Sequence, residues 1–316
     1  MTPLARIPRP TAMVPTKSMR ETFVDTVAGE LDGDPRLAVV LAEISADRFT
    51  EVAERYPERV INVGIREQAL IGVAGGLSLT GMRPVVHTIT PFLVERPFEQ
   101  IKLDLNHQSA GAVLVSTGAS YDYPAAGRTH MAPGDVALLD TLPDWTVHVP
   151  GHPAEVPAML RTAFAADGLV YIRLSERGNA EALAEGPEFR TIRHGREGVV
   201  LAVGPMLRPV LAATAMLDVT VLYAATVRPF DAAGLRAAAL SASPDVVLVE
   251  PYLRGTSSHL VEDALSALPH RVHALGVSRD AELRAYGTAE QHEAAHGLGP
   301  TEIAASVRRF LGARSA

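Results

Sequence analysis

The chain has 316 residues, 47 % of them hydrophobic and 21 % charged, a globular composition that excludes a disordered or fibrous protein. It contains no cysteine, which removes disulfides, thiolate metal sites, iron–sulfur clusters and a cysteine nucleophile from consideration. The formal net charge is -7 with Lys and Arg scattered among the acids, so no basic stripe marks a nucleic-acid partner, and no run offers the roughly 18 apolar residues of a membrane span. A soluble, cytoplasmic protein is expected, with neither a nucleic-acid nor a membrane partner. At roughly 100 to 200 residues per domain, the length favours two domains over one.

Residues 1–17 carry Arg6, Arg9 and Lys17 and no acid, but Pro3, Pro8, Pro10 and Pro15 break any helix. They read as a flexible arm, with a targeting peptide as the alternative. Ser18-Met19-Arg20-Glu21 has the spacing of a capping box, and Met19, Phe23, Val27 and Leu31 share one face of the helix that follows. From there, strands are predicted at 37–44, 59–64, 84–89, 112–118, 146–150 and 169–174, and helices at 49–56, 66–79, 98–108, 135–141 and 153–164. This is the βα alternation of a parallel sheet, a first domain over 18–175.

Between Glu176 and Glu197 the pattern lapses into polar residues with Gly178, Gly186 and Pro187, which reads as a linker. Alternation then resumes over 198–316, with strands at 198–204, 219–224, 245–250 and 271–275 and helices at 207–217, 231–240, 257–268 and 301–311. The expectation is an α/β protein of two doubly wound domains.

Ligands of open α/β sheets gather beyond the carboxyl ends of the strands. Three junctions there stand out: Val63 to Ala69, Thr88 to Phe92, and the loop from Gly118 to Met131. Glu67 opens a helix, where the positive end of the dipole favours a carboxylate whether or not it does chemistry. Phe92 is open to plain core packing, and His130, in a long polar loop, to a solvated or turn-bonded role. His292 and His296 have the i,i+4 spacing of zinc helices but lack a third ligand and a general-base Glu, so no metal is expected. Asp32-Gly33-Asp34 reads as a turn, and no Gly-rich phosphate loop follows any strand.

Several separated segments carry a resemblance. SMRETF (18–23), FTEVAERYPERVINVGIREQALIGVAGGLSLTG (49–81), TPFLVERPFEQIK (90–102), GRTHMAPGDVALLDTLPDWTVHVP (127–150) and VYIRLSERGNA (170–180) together resemble the pyrimidine-binding domain of transketolases. AVGPM (202–206), VRPFD (227–231), VEPYLRGTSS (249–258) and YGTAEQHEAAHGLGPTEIA (286–304) look like the C-terminal domain of the same family. The whole is most similar to the C-terminal subunit of split transketolases, with 1-deoxyxylulose-5-phosphate synthase and the beta subunit of 2-oxoacid dehydrogenases as more distant relatives.

The resemblance implies thiamine diphosphate chemistry, in which a two-carbon ketol unit passes from a ketose to an aldehyde-type acceptor through the coenzyme's ylide. By that likeness Glu67 holds N1′ of the aminopyrimidine and favours its imino tautomer, a task suited to a carboxyl withdrawn from water. Phe92 stacks on the pyrimidine, His130 handles protons of substrate hydroxyls, and Glu43 and Ile65 lie beside the coenzyme. Arg128, Tyr121 and Asp122 are the expected substrate contacts. Mg²⁺ and the diphosphate are expected from an N-terminal transketolase subunit, in an α2β2 heterotetramer, because this chain lacks the domain that holds them. Where sugar-phosphate transketolases carry a His, an Asp and a phosphate-gripping Arg, this chain has Gly118, Ala126 and Val149, which points to an unusual donor or acceptor. The alternatives are a 2-oxoacid decarboxylating subunit and a non-catalytic assembly subunit.

Overall fold

The structure is a computed structural model describing residues 17–184, 186–280 and 282–313. Apart from Lys17, the expected N-terminal arm lies outside the described residues. In the first helix, α1 (Met19–Glu30), the Ser18 hydroxyl accepts the Glu21 N–H and the Glu21 carboxylate accepts the Ser18 N–H, closing the capping box. Then follow β1 (Leu37–Leu41), α2 (Thr50–Arg55), β2 (Val60–Asn62), α3 (Glu67–Leu79), β3 (Arg83–Ile89), α4 (Phe98–Gln100), β4 (Val113–Thr117), α5 (Asp135–Leu139), β5 (Trp145–His148), α6 (Val156–Ala165) and β6 (Leu169–Arg173). The second half holds β7 (Arg190–Arg193), β8 (Val199–Val203), α7 (Leu207–Ala213), β9 (Thr220–Ala224), β10 (Thr226–Arg228), α8 (Ala232–Ser241), β11 (Asp245–Leu253), α9 (Ser258–Leu265), β12 (Arg271–Val277), α10 (Ala289–Ala295) and α11 (Pro300–Gly312).

Two sheets result, ordered β10-β5-β6-β4-β3-β1-β2 and β12-β11-β8-β9-β7. Strands β1, β3 and β4 are buried along their whole length, as strands covered on both faces are; β1 is apolar throughout, whereas β3 and β4 also bury polar residues such as His87 and Ser116. Side chains alternate between two layers. Val39, Val85, Val113 and Ile172 face Phe23, Val27 and Leu160, whereas Val40, Val86, Leu114 and Tyr171 face Leu70, Ile71 and Ala74. Among the described residues no helix is long and apolar enough to cross a membrane.

The α/β class with its parallel sheets is as the sequence implies, but each sheet also carries one antiparallel edge strand that periodicity does not announce. β7 lies inside the stretch 176–197 expected as a linker, and it pairs antiparallel with β9. β10 follows β9 after one residue, leaves that sheet and pairs antiparallel with β5 of the other sheet. Three or four residues are too short to show alternation, and their pairing is set by the neighbour they meet. The segments Pro91–Glu95 and Ile101–His107 are π-helical, a wider winding seen mostly in single turns near functional sites. Helix α10 was not predicted.

The two halves are joined by a polar hub. Glu155 accepts the Gly151 N–H (2.8 Å) and the Tyr223 hydroxyl (2.8 Å) on Oε2, and the N–H groups of Leu183 (2.8 Å) and Ala184 (3.0 Å) on Oε1. Asn179 donates from its backbone to the Gly151 carbonyl (2.6 Å) and from Nδ2 to the Gly204 carbonyl (3.1 Å). A Cβ at Gly151 would lie 2.2 Å from Asn179 Nδ2 and 2.5 Å from the Tyr223 oxygen, so only glycine fits that crossing.

Candidate active site

The strands β2, β1, β3 and β4 are adjacent and parallel, so their carboxyl ends open on one edge of the first sheet. Glu43 follows β1, Ile65 and Glu67 follow β2, Phe92 follows β3, and the loop bearing His130 follows β4. Three residues other than glycine take the left-handed backbone conformation on this edge: Glu43 (φ 63), Ser45 (φ 65) and Ser120 (φ 51). Such positions cost about 1 kcal/mol or more each and persist where the surroundings fix them.

Glu67 is the first residue of α3 and is only 3 % exposed. Its Oε1 accepts a hydrogen bond from Arg96 Nη1 at 2.7 Å. The same guanidinium lies over Phe92, 4.1 Å from the ring centroid, a cation–π contact. Phe92 is half-buried on the π-helical turn and meets the His130 ring edge-on, with centroids 5.2 Å apart. His130 is half-buried as well, and its Nδ1 is 2.9 Å from the Thr129 hydroxyl. Glu67, Phe92 and His130 are thus brought together, linked by an arginine that motif reading passed over. The available signal was the spacing: Arg96 lies one helical turn beyond Phe92, on the same side of the segment.

Glu43 is exposed, and its Oε1 accepts from Asn62 Nδ2 (3.3 Å) while Asn62 Oδ1 accepts the N–H groups of Glu43 (3.1 Å) and Gly64 (3.0 Å). Ile65 is 73 % exposed, an isolated apolar side chain at the mouth of the edge. The expected substrate residues have other partners. Arg128 donates to Glu282 (2.9 Å) and to the Met131 carbonyl (2.6 Å), reaching across to the second half. Tyr121 is buried and stacks on His292, 5.9 Å between centroids, beside His296 at 5.5 Å. With Arg128 and Met131 it lines a cavity of about 260 Å³ between the loop and the second half.

Asp122 clamps the loop: it accepts the N–H groups of Ala119 (3.0 Å) and Glu176 (3.0 Å) and the Ser175 hydroxyl (3.2 Å). Burial raises its carboxyl to about 6, against the lowering effect of those donors. Among the described residues no three His, Asp or Glu side chains form a metal-ligand group.

The departures at Gly118 and Val149 have distinct settings in the fold. Gly118 has φ 69, and a Cβ there would meet the Tyr123 ring at 2.1 Å, so no larger side chain fits. Tyr123 donates its hydroxyl to Glu176 (2.9 Å), which keeps the ring in that place. Val149 is buried, its N–H bonded to the Ala225 carbonyl at 2.7 Å where the two sheets meet. Deeper in the loop, Arg173 Nη2 donates to the Ser120 hydroxyl at 2.7 Å, and Ser120 in turn bonds the Pro251 carbonyl. These bonds tie the His130 loop to β11.

The family described as "Transketolase, pyrimidine binding domain" matches residues 16–180. A protein from Rhodococcoides fascians, "Uncharacterized 33.6 kDa protein in fasciation locus", is 54 % identical over 93 % of this chain and 95 % of its own length. The "6-deoxy-6-sulfo-D-fructose transketolase subunit SqwH" of Clostridium sp. (strain MSTE9) is 31 % identical over 67 % of this chain and 70 % of its own. The chain spans about half (48 %) of the 1-deoxy-D-xylulose-5-phosphate synthase of Leptothrix cholodnii, to which it is 30 % identical. Among solved structures, "Split gene transketolase, inactive beta4 tetramer" superposes with a TM-score of 0.82 at 28 % identity, covering 93 % of this chain and 98 % of that one. The chain belongs to the transketolase pyrimidine-binding domain family, and it is built along its length like a subunit of a split-gene transketolase.

Proposed function

We propose that this chain is the pyrimidine-binding half of a two-component, thiamine diphosphate-dependent transketolase, moving a two-carbon ketol unit from a ketose to an aldehyde-type acceptor. The observation that carries the reading is the gathering of a buried carboxylate, a half-buried aromatic face and an imidazole at one sheet edge. The residues fit an aminopyrimidine, because a flat N–H donor already sits there: the Arg96 guanidinium bonds Glu67 and lies on Phe92. When bound, the coenzyme supplies the carbon nucleophile and the electron sink for C–C cleavage.

Glu67 would accept a hydrogen bond from ring nitrogen N1′. Its burial keeps water from competing for that proton. Phe92 would hold the ring flat, an aromatic contact worth about 1 kcal/mol beyond its area. His130, fixed through Nδ1 by Thr129, would hold or move a proton at a substrate hydroxyl. Glu43 and Ile65 would flank the coenzyme at the mouth of the site, and Arg128 would meet a substrate anion by leaving Glu282. The diphosphate and Mg²⁺ belong, in this reading, to an N-terminal transketolase subunit within an α2β2 heterotetramer. The similarity to a split-gene transketolase described as an inactive beta4 tetramer supports the need for that partner. The lack of room for a side chain at Gly118 supports a donor or acceptor other than the common sugar phosphates.

The test is co-purification of the full chain with its partner, followed by a thiamine diphosphate- and Mg²⁺-dependent assay over ketoses and aldehydes. Ketol transfer by the pair and none by the chain alone is the expected result. Transfer by the isolated chain would refute the shared site, and pyruvate turnover without ketol transfer would move the protein to the 2-oxoacid class.

A further inference from the structure

We propose that Arg96 is a built-in occupant of the aminopyrimidine position, displaced when thiamine diphosphate binds, so that this side chain sets the affinity for the coenzyme. The inference rests on the function proposed above and concerns this chain's own residues. Two contacts define the position: a hydrogen bond to Glu67 and a face on Phe92. Arg96 makes both, at 2.7 Å from the carboxylate oxygen and 4.1 Å from the ring centroid. A guanidinium suits the place because it is planar, rich in N–H donors and weakly hydrated.

A carboxylate buried this deeply is costly without a partner, so the chain without coenzyme needs such an occupant. The geometry also allows it to leave. The Arg96 side chain is 42 % exposed, so the guanidinium can rotate into water, whereas Glu67 cannot follow. The Arg96 backbone stays anchored, since its carbonyl accepts from Gln68 Nε2 at 3.4 Å and its N–H donates to the Pro91 carbonyl at 3.0 Å. Coenzyme and Arg96 then compete for one carboxylate and one ring face. The apparent Kd is the intrinsic one divided by the fraction of molecules with Arg96 swung out, so a site closed about nine-tenths of the time binds about tenfold more weakly.

The experiment titrates thiamine diphosphate, with Mg²⁺, into the complex of the full chain with its partner, for the wild type and for Arg96→Ala, by calorimetry. The expected result is a Kd about tenfold lower in R96A. Millimolar guanidinium chloride, against sodium chloride at equal ionic strength, is expected to raise the Kd of R96A competitively and leave the wild type unchanged. A merely structural arginine would not produce that rescue. If R96A does not fold, Arg96→Lys serves: it keeps a cation near Glu67 but no flat face for Phe92, and its Kd is expected to fall below the wild-type value. Equal or weaker coenzyme binding by the folded variant, in a complex whose wild type binds, would overturn the inference alone. A wild-type complex that binds no thiamine diphosphate would overturn the proposed function and this inference together.

Discussion

Replacing Arg173 by methionine tests how the His130 loop is held. Arg173 ends β6 and is 1 % exposed, and its Nε donates to Asp135 Oδ2 at 2.6 Å on the first residue of α5, which is 0 % exposed. The Tyr171 hydroxyl donates to the same oxygen at 2.7 Å and is 2.8 Å from the Ser116 hydroxyl. Arg173→Met keeps most of the volume but strands a buried carboxylate with one hydroxyl donor. Breaking such a pair costs about 3–5 kcal/mol. Scaled by a typical unfolding entropy per residue, this lowers Tm by about 5–8 °C for a chain of this length unfolding as a unit.

The assay is calorimetric or circular-dichroism melting of the full chain, with Asp135→Asn/Arg173→Met as the companion that removes the stranded charge. The double variant is expected to recover more than half of the loss, because replacing both partners is cheaper than orphaning one. The single variant should also be cut faster by protease between Gly118 and Met131, since Ser120 loses its donor. An R173M protein melting within about 1 °C of the wild type would refute the assignment of the loop's anchorage to this pair.

Glu67→Ala, in the complex with the partner, is expected to lower ketol transfer at least about 100-fold while co-purification is unchanged, measured by coupled assay and gel filtration. Glu250 is fully buried, and burial raises its carboxyl to about 7, above the ordinary value of 4.5, so the folded chain binds that proton more tightly than the unfolded one. Its contribution is therefore full below about pH 4.5 and is lost as pH rises through 7. Glu250→Gln should match the wild type near pH 5 and exceed it by up to roughly 3 kcal/mol at pH 8, read from urea unfolding at both pH values. Gly118→Ala, by driving a Cβ into the Tyr123 ring at a left-handed backbone, should cost about 1–3 kcal/mol by the same method, and Tyr123→Ala in addition should return part of it.

Local signals carried much of the fold. The Ser18–Glu21 box closes as its spacing predicts, β3 and β4 lie within one residue of their predicted bounds, and β1 begins where predicted but ends three residues earlier. Such strands are legible because a strand covered on both faces is rich in apolar residues. Edge strands β7 and β10 carry no such mark, since they are only four and three residues long and are specified by the strand they meet. Helix α10 is equally silent: of its residues only His292 is buried, so it has no apolar stripe to read.

The candidate site divides along the same line. Residue types and their order along the chain, with Glu67 opening a helix, Phe92 following a strand and His130 in a long loop, were available to a reader of the sequence, and so was the resemblance they support. Strand order decided that these three share an edge, and packing decided that Tyr121 stacks on His292 and that Asp122 accepts the Glu176 N–H. Packing also placed Arg96 on Glu67 and Phe92, and it left no room beside Gly118. The physical reason is range: caps, turns and apolar periods act between residues a few positions apart and are written locally. The neighbours of a buried charge, such as Arg96 for Glu67 or Arg173 for Asp135, are 29 and 38 positions away and are chosen only when the sheet closes.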